Sequence, residues 1–172
     1  MNLYLLRHAI AVERGAAGFE DDRTRPLTDE GRDKMKRIAK GMSALGLEFD
    51  LILTSPYVRA RQTAELAAAE LGLAKRLKLE PSLAADRQPA EILSRLEFLS
   101  RRNRRVLLVG HEPFLGELAR RLVGAPAGAL SFKKGGLAGL SLTRFTPAPV
   151  AHLDWLLTPK QLRMLAAGDD EP

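Results

Sequence analysis

Apolar residues follow two rhythms along this chain. Unbroken runs at Leu3-Tyr4-Leu5-Leu6, Leu51-Ile52-Leu53 and Val106-Leu107-Leu108-Val109 have no helical period, which predicts strands buried on both faces of a sheet. Between them the apolar positions fall at helical spacing. Met35, Ile38, Ala39, Met42 and Leu45 form one stripe, with Thr28 as N-cap, Asp29 and Glu30 in the first turn, and Gly46 at the C-terminal cap. A second helix is expected from about Val58 to Leu71, Ala-rich on its packing side and stopped by Gly72. Pro89 opens a third, through Ile92, Leu93, Leu96 and Leu99, and Pro113 a fourth, through Leu122. Leu77-Lys78-Leu79 reads as a short, weak strand. Strands at Leu137 to Phe145 and Val150 to Leu157 are joined by a turn around Thr146 to Pro149, and Thr158-Pro159 caps a short last helix. Gly168 to Pro172 reads as a frayed acidic tail, and Ala9 to Pro26, without period, as a loop over the end of the first strand.

Alternating strands and helices predict an α/β chain, a three-layer α/β/α arrangement on a mostly parallel sheet. All 172 residues are expected to form one domain, since no composition shift divides them. In such sheets ligands bind at the carboxyl ends of the strands. The first strand ends in Arg7-His8, the second in Ser55-Pro56 leading to Arg59, and the third in Gly110-His111-Glu112-Pro113. An arginine offers a planar fork of donors to phosphoryl oxygens, and an imidazole offers a lone pair to phosphorus. Arg59 also sits in the first turn of a helix, where the dipole repels cations unless an anion lies between them. Two arginines and two histidines are therefore expected to meet in one anion-sized pocket.

Charge agrees with an anionic ligand: 27 Lys and Arg against 21 Asp and Glu leave a net +6. Nucleic acid fits poorly, because the cations are scattered apart from Arg101-Arg102-Asn103-Arg104-Arg105 and aromatics are only 5% of residues. That cluster is expected at a helix C-terminus, where cations are favoured. The absence of cysteine excludes disulfides, thiolate metal sites and a cysteine nucleophile, and it suits the cytoplasm. No apolar run approaches the roughly 18 residues of a membrane span, and no signal peptide is visible.

Other phosphate chemistries do not fit. There is no G-x-x-x-x-G-K-[ST], and Asp50-Leu51-Ile52-Leu53-Thr54 has Ile52 where an aspartyl-phosphate motif needs its second acid. Gly135-Gly136-Leu137-Ala138-Gly139 lacks dinucleotide spacing and reads as a bulged sheet edge. His8, His111 and His152 match no zinc spacing, and His152 is expected on an exposed strand face.

Four motifs, L-x-x-R-H at Leu3 to His8, L-T-x-x-G at Leu27, Thr28 and Gly31, S-P-x-x-R-A-x-Q-T at Ser55 to Thr63, and V-x-x-V-G-H at Val106 to His111, together resemble the histidine phosphatase superfamily, whose fold is called phosphoglycerate mutase-like. The Arg25-Pro26-Leu27-Thr28 segment, the short length and the Trp155, Thr158-Pro159, Leu162 ending resemble its SixA-type phosphohistidine phosphatases. The resemblance implies His8 as nucleophile, and Arg7, Arg59 and His111 around the phosphate, with Ser55 among the binding residues. It implies no cofactor and no metal, and as partner a phosphohistidine-bearing protein such as a histidine phosphotransfer domain. Many members of the superfamily carry a glutamate after the third strand as proton donor to an alcohol. Here that region reads Glu80-Pro81-Ser82-Leu83-Ala84-Ala85-Asp86, so Asp86, Glu80 and Glu112 are the candidates. A phosphoramidate needs such help less, because a protonated imidazole leaves more readily than an alkoxide.

Overall fold

The computed structural model describes residues 1–145 and 147–166, so the expected tail at 168–172 and Thr146 of the expected turn lie outside the described residues. Six strands form one sheet in the order β3-β2-β4-β1-β5-β6, where β1 is Asn2–Arg7, β2 Leu51–Thr54, β3 Leu77–Leu79, β4 Arg105–Gly110, β5 Leu137–Arg144 and β6 Val150–Leu157. β3, β2, β4 and β1 run parallel, and β5 runs antiparallel to both of its neighbours. The helices are α1 (Asp29–Ala44), α2 (Val58–Glu70), α3 (Pro89–Ser100), α4 (Phe114–Val123) and α5 (Pro159–Leu165).

The unbroken apolar runs are explained by a sheet covered on both faces. Along β1, Leu3 and Leu5 enter the core beneath α3 and α4, while Tyr4 and Leu6 enter the one beneath α1, α2 and α5. β2 and β4 divide in the same way, with Leu51, Leu53, Val106 and Leu108 on one side and Ile52, Leu107 and Val109 on the other. On the second side α1 and α5 cross at Gly41, where a Cβ would lie 1.9 Å from the Leu162 carbonyl oxygen. α1 starts at Thr28, whose hydroxyl accepts the Gly31 amide, and α5 starts with a capping box between Thr158 and Gln161.

Three local expectations are corrected. Leu45 is the C-cap of α1 and 39% exposed, because the stripe runs out of partner one turn earlier. Gly135 to Gly139 is not at a sheet edge, since β5 lies between β1 and β6. The bulge is real, at Gly139, where the Trp155 ring fills the space of a Cβ. Arg105 belongs to β4 rather than to a helix end, and its guanidinium pairs with Glu48 and Asp50.

Ladder bonding continues past the ends of the parallel strands, and this positions the site. The His8 amide donates to the Gly110 carbonyl at 2.9 Å, and the Ser55 amide to the Val109 carbonyl at 3.0 Å. On the other side of β1, the amide of Gly135 donates to the carbonyls of Arg7 and His8. The tips of β1, β2 and β4 are therefore fixed to one another by backbone alone.

Candidate active site

Polar letters of the motifs hold the loop above β1. Thr63 accepts the Ala9 amide at 3.0 Å and donates to the Arg59 carbonyl, while Gln62 accepts the Leu27 amide at 2.8 Å. The Thr28 amide donates to the Ile10 carbonyl, and Gly31 is bare because a Cβ there would lie 1.9 Å from the same carbonyl oxygen. Ala60 and Ala64 of α2 are fully buried in the core below. These contacts set where the residues after His8 can run.

Arg7, His8, Arg59 and His111 line one cavity of about 310 Å³. His8 is 6% exposed, and its Nδ1 donates to the Ala9 carbonyl at 2.7 Å, which leaves Nε2 with its lone pair. Arg59 donates to that Nε2 through Nε at 3.3 Å. Burial, joined by the charges of Arg59, Arg7 and Lys134 and opposed by the Ala9 bond, lowers the His8 pKa to about 3. The ring is therefore neutral at pH 7. His111, whose ring centre is 5.2 Å from that of His8, is lowered to about 2 by burial and by the neighbouring His8 and Arg59.

Donors around the cavity are left without partners. The Arg7 guanidinium gives one N–H to the Phe132 carbonyl at 2.5 Å, but its buried Nε bonds nothing among the described residues. The same holds for Nδ1 of His111, whose Nε2 meets Ser55 Oγ at 2.8 Å. Ser55 Oγ accepts the Tyr57 amide and has its own proton to give to His111 Nε2, the arrangement in which the imidazole proton sits on Nδ1. Two orphan donors on one cavity wall call for a ligand rich in acceptors.

Some candidates lie elsewhere. Ser55 is fully buried and is not among the residues lining the cavity; its Oγ lies against the His111 ring. Glu80 is buried away from the cavity, where it caps the 3-10 turn at Pro81–Leu83 and pairs with Arg95. Asp86 lines a neighbouring groove with Pro113 and Glu117, because the chain turns outward after Ala85. Glu112 does line the cavity, and burial raises its pKa. One oxygen of its carboxylate, however, accepts the Phe132 amide at 2.9 Å, so it is held to the backbone.

Sequence reasoning missed Asp22. This residue sits in the 3-10 turn Asp22–Thr24, and its carbonyl and carboxylate take the two terminal nitrogens of Arg59 at 2.5 and 2.8 Å. Burial opposes ionisation of Asp22, but hydrogen bonds from Arg25, Arg59 and Arg14 outweigh it and hold the carboxyl well below the usual range. The charged run Glu20-Asp21-Asp22-Arg23 in an aperiodic loop was the signal, although nothing in it singles out one acid. Tyr57 was also missed; its ring lies against His111 and under the Arg59 guanidinium.

Comparison with known proteins gives the same picture. Residues 3–85 match the profile of the histidine phosphatase superfamily (branch 1). An uncharacterized protein of Picosynechococcus sp. (strain ATCC 27264 / PCC 7002 / PR-6) is 43% identical over 143 residues, 81% of this chain and 84% of that protein. Phosphohistidine phosphatase SixA of Escherichia coli (strain K12) is 26% identical over 97% of this chain and 99% of its own. Among solved structures, the protein histidine phosphatase SixA complexed with tungstate superposes with a TM-score of 0.82 at 25% identity, covering 94% of this chain and 99% of that one. A SixA structure from Agrobacterium tumefaciens gives 0.76 at 27% identity, covering 92% and 97%. With its motifs, its sheet order and these relatives in agreement, the chain belongs to the histidine phosphatase superfamily and has the phosphoglycerate mutase-like fold of SixA.

Proposed function

We infer that this protein is a phosphohistidine phosphatase that works through a covalent intermediate on His8. The observation that carries the reading is the state of His8: a neutral ring whose Nδ1 proton is tied to Ala9, with the lone pair of Nε2 turned to Arg59 in a cavity that Arg7, Arg59 and Lys134 also line. Nε2 attacks phosphorus, the substrate's P–N bond breaks, and its electron pair stays on the departing nitrogen. When the substrate ring carries a proton on its other nitrogen, it leaves as neutral imidazole. Water then attacks the phosphorus on His8, and His8 departs as the same neutral Nδ1–H ring. Arg7 Nε and His111 Nδ1 supply donors to the oxygens on which charge rises.

Nothing in this sequence of steps calls on a metal ion or on a carboxylic acid, which fits the backbone-bound Glu112 and the distant Glu80. The resemblance to SixA, named a phosphohistidine phosphatase, favours a phosphohistidine-bearing protein such as a histidine phosphotransfer domain as substrate. The test is phosphate release, in chelator, from a phosphohistidine protein and from a panel of phosphate monoesters, with His8→Ala as control. Preference for phosphohistidine, lost in the variant, is the expected result. Faster turnover of one small ester, or full activity of His8→Ala, would overturn the reading.

A further inference from the structure

Beside the phosphate cavity lies a second one of about 490 Å³, which shares Arg7 and Lys134 with it. Its floor is apolar, formed by Ala9, Ile10, Ile38 and Pro159. Gly135 keeps this floor open: a Cβ there would lie 2.7 Å from Ile38 Cδ1, and its φ of +81° disfavours a side chain in any case. The rim is cationic, with Lys34 from α1, Lys133 and Lys134 from the turn before β5, and Arg163 from α5. Among the described residues only Lys34 of these four has a carboxylate partner, Glu30.

We propose that this cavity is a docking subsite for an acidic segment of the protein substrate, receiving an apolar side chain on its floor and carboxylates at its rim. The assignment rests on the phosphohistidine reading of the adjoining site and adds to it which protein surface is accepted. A phosphate ester alone would be served by the smaller cavity. An apolar floor under a rim of four cations, three of them without a carboxylate partner among the described residues, matches a segment in which acidic residues flank an aliphatic one. Continuity through Arg7 and Lys134 places that segment next to the phosphorylated residue.

The test uses two synthetic phosphohistidine peptides that differ only in the flank, Asp-Leu-Asp in one and Ser-Leu-Ser in the other, with free phosphohistidine as reference. The protein is compared with the charge-reversed variant Lys34→Glu, Lys133→Glu, Arg163→Glu. The readout is the ratio of kcat/KM for the two peptides, which is internally controlled because both meet the same folded protein. A preference of about tenfold for the acidic flank is expected, from two exposed ion pairs of modest strength each, and it falls to unity or reverses in the variant. A ratio near one in the unaltered protein, or an unchanged preference in the variant, would overturn the subsite.

A second readout separates this proposal from the one it rests on. Binding of the unphosphorylated acidic peptide to the His8→Ala protein is followed by fluorescence anisotropy. If no phosphohistidine compound is turned over, the reading of the site fails, and the subsite stands or falls on whether that peptide binds and the charge reversal releases it. If the reversal instead raises KM for a small bisphosphate and leaves peptide binding unchanged, the cavity serves a metabolite and the proposal is wrong.

Discussion

Lowering the pH from 7 to 5 should destabilise this protein by about 4 kcal/mol, and the two site histidines are the reason. Folded, His8 and His111 have pKa values of about 3 and about 2, while an unfolded histidine titrates near 6.5. A folded pKa below the unfolded one means that the unfolded chain binds protons first. Stability is therefore complete above the unfolded value and is lost as pH falls from there toward the folded values. Both folded values lie below pH 5, so over this interval the loss is set by protonation of the unfolded chain. It amounts to about 2 kcal/mol per histidine. Glu112, raised by burial, acts in the opposite sense and trims the total. The assay is urea unfolding at pH 7, 6 and 5 for the unaltered protein, the His8→Gln and His111→Gln variants, and the double variant. Each substitution should remove about half of the acid loss. A flat profile in the unaltered protein, or the full acid loss in the double variant, would refute the claim that these rings are buried and neutral. By the same reasoning protonation of His8 should not limit kcat/KM down to about pH 5.

Arg59→Lys keeps the charge but not the fork that reaches His8 and Asp22, and phosphate release should fall about 10²-fold at saturating substrate. Asp22→Ala leaves Arg59, only 2% exposed, without its carboxylate; thermal unfolding should show a loss of about 2–4 kcal/mol. Thr63→Val removes the acceptor of the Ala9 amide beneath the residue that tethers His8. Activity should drop about tenfold or more with a smaller change in stability, and Thr63→Ser should restore both. Gly41→Ala drives a methyl into the Leu162 carbonyl at the α1–α5 crossing, which denaturant midpoints should report as a cost of about 1–3 kcal/mol with phosphate release retained.

The sequence by itself determined the alternation of strands and helices, the helix caps, and the strand ends that carry Arg7-His8 and His111. These features rest on interactions a few residues apart or on the period of apolar positions, and both are visible along a line. What tertiary structure alone decided was where polar atoms turn. Ser55 lies under His111 and bonds its ring, Glu80 pairs with Arg95, and Glu112 takes the Phe132 amide. Asp22 reaches Arg59 across 37 residues of chain, and Gly31 and Gly41 are glycines because a carbonyl from a distant segment needs their space. Such partners are brought together only when the sheet closes. A carboxylate's letter is the same whether it faces water, an amide or a guanidinium, and the burial and pairing that set its chemistry belong to the fold.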